Sequence, residues 1–423
     1  MIALGAVSPY EKNHRPGSRQ AQPASSSTTP LRNHFLHALS HGFGGYATRF
    51  VDPALGFATG YCYFFKYLLA TPNQLSAFAL IMKFWVGDRV NPAVFITIAL
   101  VLILLINSIS VKAFGEFEFW LSSLEVVIMI GVILLLFILA VGGGPTGDRP
   151  GFRYWSDPGA FAEYAMVAAV YAFSGTELVG ATAVRLTFMR IVFFYIISVF
   201  LLGMVVPYNS AELVFAAKAK TSAAASPFIK GLDHVINGCL GVFVFSAANS
   251  DIYISSRTLP SYLFQDHQGR RALRGFGSIS GAATVFGYLT NVVTVFVLLT
   301  WTSILVSHIF FCRARTAQRI DAAYIPYRAS LGSWGSYAAL GFLIVLTLTK
   351  GIEVFVGTFD YKNFIVQYIG IPVYLICIFG YKIFKKSHRV RAETADLERA
   401  AVEAEQREKE VAMGKKSAFA KVY

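Results

Sequence analysis

An all-α integral membrane protein is predicted from three observations. Only 14% of the 423 residues are charged and mean hydropathy is +0.54, whereas soluble domains carry about 25% charge. Apolar stretches of about 20 residues, the length a helix needs to cross the hydrocarbon core, recur along the chain. The basic residues stand in short clusters between those stretches, as the positive-inside rule places them in cytoplasmic loops.

The stretches fall at roughly residues 54–80, 92–111, 119–141, 160–182, 188–206, 232–254, 282–311, 333–356 and 364–384. The first contains Lys66, Pro72, Asn73 and Gln74. It is polar on one side and is expected to face a protein interior rather than lipid. Residues 1–41 form a polar leader, of which 8–30 has the composition of a disordered segment. The first apolar patch is too short for a cleavable signal peptide. Residues 392–423 alternate charge with Ala, Leu and Val, the pattern of a solvated cytoplasmic tail or an exposed helix. The membrane domain is therefore expected over 42–391.

Composition also narrows function. A net charge of +13 would suit nucleic acid if it were concentrated in one patch, but its distribution is that of membrane loops. Cys62, Cys239, Cys312 and Cys377 form no CxxC pair, so neither a metal site nor a disulfide framework is expected. His34, His37 and His41 share helical spacing but lie beside the polar leader, and no spaced set of His and carboxylates marks a catalytic centre. No cofactor, metal or enzymatic activity is expected.

The loop charges leave one conflict. Arg257, Arg270, Arg271 and Arg274 follow the sixth stretch; Arg313, Arg315, Arg319 and Arg328 follow the seventh. Both clusters read as cytoplasmic, yet one span lies between them. A crossing is missing there, or the region forms a re-entrant hairpin, or one cluster lies outside; the missing crossing is the preferred reading.

The chemistry concentrates in Phe173-Ser174-Gly175-Thr176-Glu177-Leu178-Val179-Gly180. An ionisable Glu177 at membrane depth costs a few kcal/mol or more and by default marks a substrate or ion pathway. The flanking glycines loosen the helix and let backbone amides and carbonyls face a cavity.

Seven segments in order resemble the fungal branch of the amino acid permease family, within the amino acid–polyamine–organocation superfamily. They are residues 44–57 (Gly-Gly-Tyr-Ala-Thr-Arg-Phe-Val-Asp-Pro-Ala-Leu-Gly-Phe), 63–67 with Thr71-Pro72-Asn73-Gln74-Leu75, 114–123 (Phe-Gly-Glu-Phe-Glu-Phe-Trp-Leu-Ser-Ser), the octet 173–180, 245–251 (Phe-Ser-Ala-Ala-Asn-Ser-Asp), Pro326-Tyr327-Arg328-Ala329 and Tyr368-Ile369-Gly370-Ile371-Pro372. The resemblance implies an inverted-repeat fold, with about nine of twelve expected transmembrane helices present. Its first and sixth spans are broken at mid-membrane to bind an amino acid's carboxylate and ammonium. It also implies proton symport at a plasma membrane, with the amino acid, protons and the bilayer as partners and no nucleic acid.

On this mapping the octet is the broken sixth span. Ser174, Gly175 and Thr176 offer backbone and hydroxyl groups, Phe173 gates the substrate or packs on its side chain, and Glu177 helps organise the site. Gln74 stands where many relatives carry a Glu in the third span; it orients substrate by hydrogen bonds, or the Pro72-Asn73 pair beside it simply kinks that helix. Lys66 lines the pathway or snorkels to the interface. Asn249, Ser250 and Asp251 contribute polar groups toward the broken helix or hydrogen-bond between helices. Phe286 and Trp301 fall in the family's tenth span as gate or packing residues.

Four departures from the family stand out. The first span and nearly all of the second have no counterpart before Gly42; a cytoplasmic segment after Ala183 is lost; the ninth span is missing; and Glu125 replaces the lysine that usually follows Leu-Ser-Ser in the fifth span. The resemblance implies that this lysine serves proton coupling or replaces a sodium ion near the first span. The chain thus reads as truncated and internally deleted. The resemblance implies amino acid transport, with a permease-like membrane protein that no longer transports as the alternative: a sensor, a partner of an intact permease, or the product of an incomplete gene sequence.

Overall fold

The computed structural model describes residues 43–87, 89–109, 111–144, 147–156, 170, 185–206, 233–263, 282–319, 332–355, 359–395 and 397. Ten α-helices are described: α1 (Phe43–Phe50), α2 (Pro53–Val86), α3 (Pro92–Ile109), α4 (Val111–Ala140), α5 (Arg185–Val205), α6 (Asp233–Leu263), α7 (Ala282–Ala317), α8 (Gly332–Thr349), α9 (Tyr361–Tyr368) and α10 (Gly370–Lys385). No strand occurs among the described residues. Helices cover eight of the nine apolar stretches read from the sequence; the ninth, 160–182, lies outside the described residues except for Val170.

α2 is the axis of the bundle. Asp52 caps it by accepting from the Ala54 N–H at 2.8 Å, and Pro53 occupies the first turn, where its missing N–H costs nothing. Gly87, at φ 63°, ends it. α1 doubles back onto the first turn of α2 at Gly56, where a Cβ would stand 1.7 Å from Thr48 Oγ1. α6, α7 and α10 then enclose α2.

Four described helices, α3, α4, α6 and α7, are long and apolar enough to cross a membrane, and the bent pair α9–α10 makes a fifth. Of the apolar windows, 72% of α7's is buried inside the protein, against 11% in α3 and 17% in α4. α7 is therefore interior, while α3 and α4 present Leu104, Leu105, Ile109, Trp120 and Val127 outward, as lipid-facing helices do. α2 is not among the four; its turns carry Lys66, Thr71, Asn73 and Ser76, all buried, which agrees with an interior-facing first stretch.

The last stretch is not one straight helix. α9 and α10 meet at Ile369 with a 45° bend. Pro372 has no N–H to return to the Tyr368 carbonyl. Gly370 at the bend lets α7 come so close that a Cβ there would stand 2.2 Å from Val295 Cγ1.

Side-chain pairings fix the helix directions. Against α2, Leu75 meets Ala248, Phe78 meets Phe245 and Trp85 meets His234 on α6. Phe65 meets Phe296 and Asn73 meets Thr290 on α7. Both helices run antiparallel to α2 and so parallel to each other. Leu263, where α6 ends, and Ala282, where α7 begins, therefore lie toward opposite ends of the bundle. A helical crossing takes about 20 residues in addition to any turns, so the direction of the helices raises the same conflict as the loop charges.

After α10 the chain returns across the basic end of the bundle. Val390 N–H donates to Val51 O at 2.9 Å, and Gln318 Nε2 donates to Ala392 O and Ala395 O at 3.1 and 2.7 Å. Ala395 is buried in a cluster with Phe50, Phe311 and Ala314. Residues 390–395 are thus docked on α1 and α7. Lys382 meets Asp52 at 2.9 Å, and Ser387 donates to the same carboxyl at 2.9 Å.

Candidate functional site

The residues expected to carry function fall into two separate places. The first is a stripe on α2. Cys62, Lys66, Ala70 and Asn73, spaced by four, four and three, lie on one helix face, and all are buried. Lys66 is 1% exposed; its Nζ stands 3.4 Å from Tyr67 Oη, which donates to Tyr63 Oη at 3.3 Å. The same ammonium lies 4.6 Å from the Tyr67 ring centre and 5.7 Å from that of Tyr63. Desolvating a cation is costly, and aromatic faces repay part of that cost. Lys66 therefore does not snorkel to an interface; it is held inside the bundle.

One turn further along, Ala70 packs with Val170, Val293 and Leu298, and Trp301 packs against that cluster. Val170 is three residues before Phe173. The substrate-binding octet itself, with Phe173, Ser174, Gly175, Thr176 and Glu177, lies outside the described residues. Asn73 pairs with Thr290: its Nδ2 lies 3.2 Å from the hydroxyl, which also bonds the Phe286 carbonyl at 2.8 Å. Gln74 is half-buried, about 100° round the helix from Asn73. Ala70, Val170 and Trp301 thus belong to one apolar cluster on the α2–α7 seam, with Asn73, Thr290 and Phe286 further along it.

The second place lies between α3, α4 and α6. Glu118 on α4 accepts from Asn249 Nδ2 at 3.2 Å and from Ser250 Oγ at 2.5 Å; Asn107 Nδ2 on α3 donates to Asn249 Oδ1 at 2.8 Å. Glu125, two turns on, faces Ser246. The spacings of seven on α4 and four on α6 put two carboxylates of an outward-facing helix onto one polar seam. Asn249 is fully buried and joins three helices, which matches the interhelical hydrogen bonding read as one of its two possible roles. Asp251 is half-buried. Glu118, Asn107 and Thr290 were not singled out from the sequence; for Glu118 the signal was present, since it precedes Glu125 by seven residues in an apolar helix.

Among the described residues, no group of three or more His, Cys, Asp or Glu is placed to hold a metal ion.

Buried ionisable and amide groups inside an apolar helical bundle, with lipid-facing helices at its edge, define an integral membrane protein built around a polar interior. The chain belongs to the amino acid permease family, whose profile it matches over residues 34–277 and 273–393. The two matched stretches overlap at residues 273–277, between α6 and α7. The chain is 44% identical to the dicarboxylic amino acid permease of Saccharomyces cerevisiae, over 84% of this chain and 68% of that protein. It is 39% identical to an uncharacterised amino-acid permease of Schizosaccharomyces pombe, over 84% and 79%. With the general amino-acid permease of S. cerevisiae identity is 31%, over 86% and 70%. The first alignment runs over 416 residues, more than the 84% of this 423-residue chain that it engages, so parts of the relative stand opposite gaps inside this chain.

Proposed function

We propose that this protein carries amino acids across a membrane, with dicarboxylic amino acids as its substrates. The observation that carries the reading is the identity of 44% to a dicarboxylic amino acid permease, against 29–31% to general, proline-specific and lysine-specific permeases. The octet Phe173–Gly180 is the proposed seat of the substrate's α-carboxylate and α-ammonium: half-helix amides suit the anion, and unwound carbonyls suit the cation. Phe173, Ser174, Gly175, Thr176 and Glu177 belong to that seat, with Gln74 as a hydrogen-bonding neighbour on α2.

Proton symport and a plasma-membrane location belong to the same proposal. Glu125 stands where relatives carry a lysine and has Glu118 on its own face. The carboxylates of Glu118 and Glu125 then take, beside α6, the proton-accepting role that the free amine of such a lysine would have. The proposed organisation is a polar leader at 1–41, the membrane domain at 42–391 and a charged tail at 392–423. Uptake of labelled aspartate and glutamate by permease-deficient cells expressing the chain is the test. Saturable uptake of either supports the reading. Full-length protein at the cell surface with no uptake of any amino acid refutes it and favours a permease-like protein that no longer transports.

A further inference from the structure

We infer that the guanidiniums of Arg313 and Arg389, at the basic end of the bundle, hold the phosphate of an anionic phospholipid of the inner leaflet. The inference needs the membrane bundle and no particular transported substrate.

Three chain segments build the place: the last turns of α7, the second turn of α8 and the docked segment after α10. The Arg313 guanidinium lies 5.6 Å from the Phe310 ring centre, and its Nη2 donates to Tyr337 Oη at 3.1 Å. The Arg389 guanidinium lies 4.6 Å from the centre of the same ring. Main-chain bonds fix Arg389 there. Its neighbour Val390 donates to Val51 O at 2.9 Å, and Gln318 Nε2 donates to the carbonyls of Ala392 and Ala395.

Charge calls for an anion at this point. Two guanidiniums drawn to one ring repel each other, and an aromatic face supplies only part of what a phosphate would. Among the described residues neither arginine joins an ion pair: Asp52 is engaged by Lys382 at 2.9 Å and by Ser387 at 2.9 Å, and Glu393 on the docked segment is exposed. Lys385, Lys386 and Arg391 are also exposed and add to the positive field. Such a cluster directly after a span attracts the negatively charged cytoplasmic leaflet, and the fork of an arginine matches phosphate geometry.

The surroundings commit the anion to a lipid rather than to free phosphate. Phe384, beside Lys385 at the end of α10, is 87% exposed, and Trp334, one turn before Tyr337 on α8, is 84% exposed. Exposed apolar and aromatic side chains next to cations mark the membrane interface, where acyl chains cover the first and headgroups meet the second. A soluble phosphate would leave that apolar surface in water.

The test uses the purified full chain in detergent, with phosphatidylserine, phosphatidylcholine or inorganic phosphate added and the melting temperature as the readout. Phosphatidylserine should stabilise the wild type at concentrations where the other two do not. Arg313→Gln and Arg389→Gln should each raise the phosphatidylserine concentration required about 5-fold, and the double variant about 30-fold. Lys362→Gln, which removes an exposed charge at the far end of the α9–α10 span, should leave it unchanged. Both arginines are exposed; should the double variant not fold, the single variants and the wild-type comparison decide. The inference is overturned if phosphatidylserine and phosphatidylcholine act alike, or if inorganic phosphate replaces the lipid. It is equally overturned if the arginine variants respond as the wild type does, or if Lys362→Gln weakens the response as much as they do.

Discussion

The interhelical node at Asn249 gives the most exposed quantitative prediction. Asn249→Ala removes two hydrogen bonds that join three helices, one accepted from Asn107 at 2.8 Å and one donated to Glu118 at 3.2 Å. On the scale of soluble proteins, one neutral bond and one to a charged group sum to about 3–4 kcal/mol. The membrane scale is smaller, about 0.6 kcal/mol on average and about 1.7 at most per bond, because the unfolded state in lipid also finds partners. The membrane scale governs here, since α3 and α4 face lipid. Glu118 also keeps Ser250 at 2.5 Å, so its carboxyl is not stranded by the change. The expected loss is therefore about 1–2 kcal/mol. Denaturant titration of the purified protein measures it, and a double-mutant cycle with Glu118→Ala isolates the contact. A coupling of about 0.5 kcal/mol or more is expected, whereas additivity within about 0.3 kcal/mol would show that the two side chains do not interact.

Two further predictions concern other contacts. Gly370→Ala places a Cβ 2.2 Å from Val295 Cγ1; forcing α10 off α7 should cost about 1–3 kcal/mol, and adding Val295→Ala should restore part of the lost thermal stability. At Asp52, burial pushes the carboxyl pKa up, but hydrogen bonds from the Ala54 N–H, Lys382 and Ser387 outweigh it and hold the group below its ordinary value. A lowered folded-state pKa means that the stabilisation is complete above the unfolded value of about 4 and is lost as pH falls through the folded value. Asp52→Asn should therefore lower stability at neutral pH and flatten the acid limb of the stability profile. An unchanged acid limb would contradict the assignment.

The sequence carried much of the fold because hydrocarbon thickness sets span length and hydropathy reports it directly. The interior placement of α2 was legible for the same reason: Lys66 and Asn73 could not face lipid. The conflict between the two arginine clusters was also readable, and the parallel course of α6 and α7 restates it in three dimensions. Long-range pairings were not legible. Nothing local says that Glu118 meets Ser250, 132 residues away, or that Gly370 is the point where α7 presses on the last helix. Composition marked 392–423 as solvated, but the main chain of Val390, Ala392 and Ala395 bonds to Val51 and Gln318, a contact that side-chain periodicity does not report. The proposed substrate octet was conspicuous in sequence through an intramembrane carboxylate between glycines, and it lies outside the described residues.

Counterflow into liposomes reconstituted with the purified chain tests the central claim most directly. Vesicles preloaded with unlabelled glutamate should accumulate external labelled glutamate transiently, and unlabelled aspartate should compete. Labelled glutamate that enters protein-containing and protein-free vesicles at the same rate, with every other labelled amino acid doing likewise, would contradict the account.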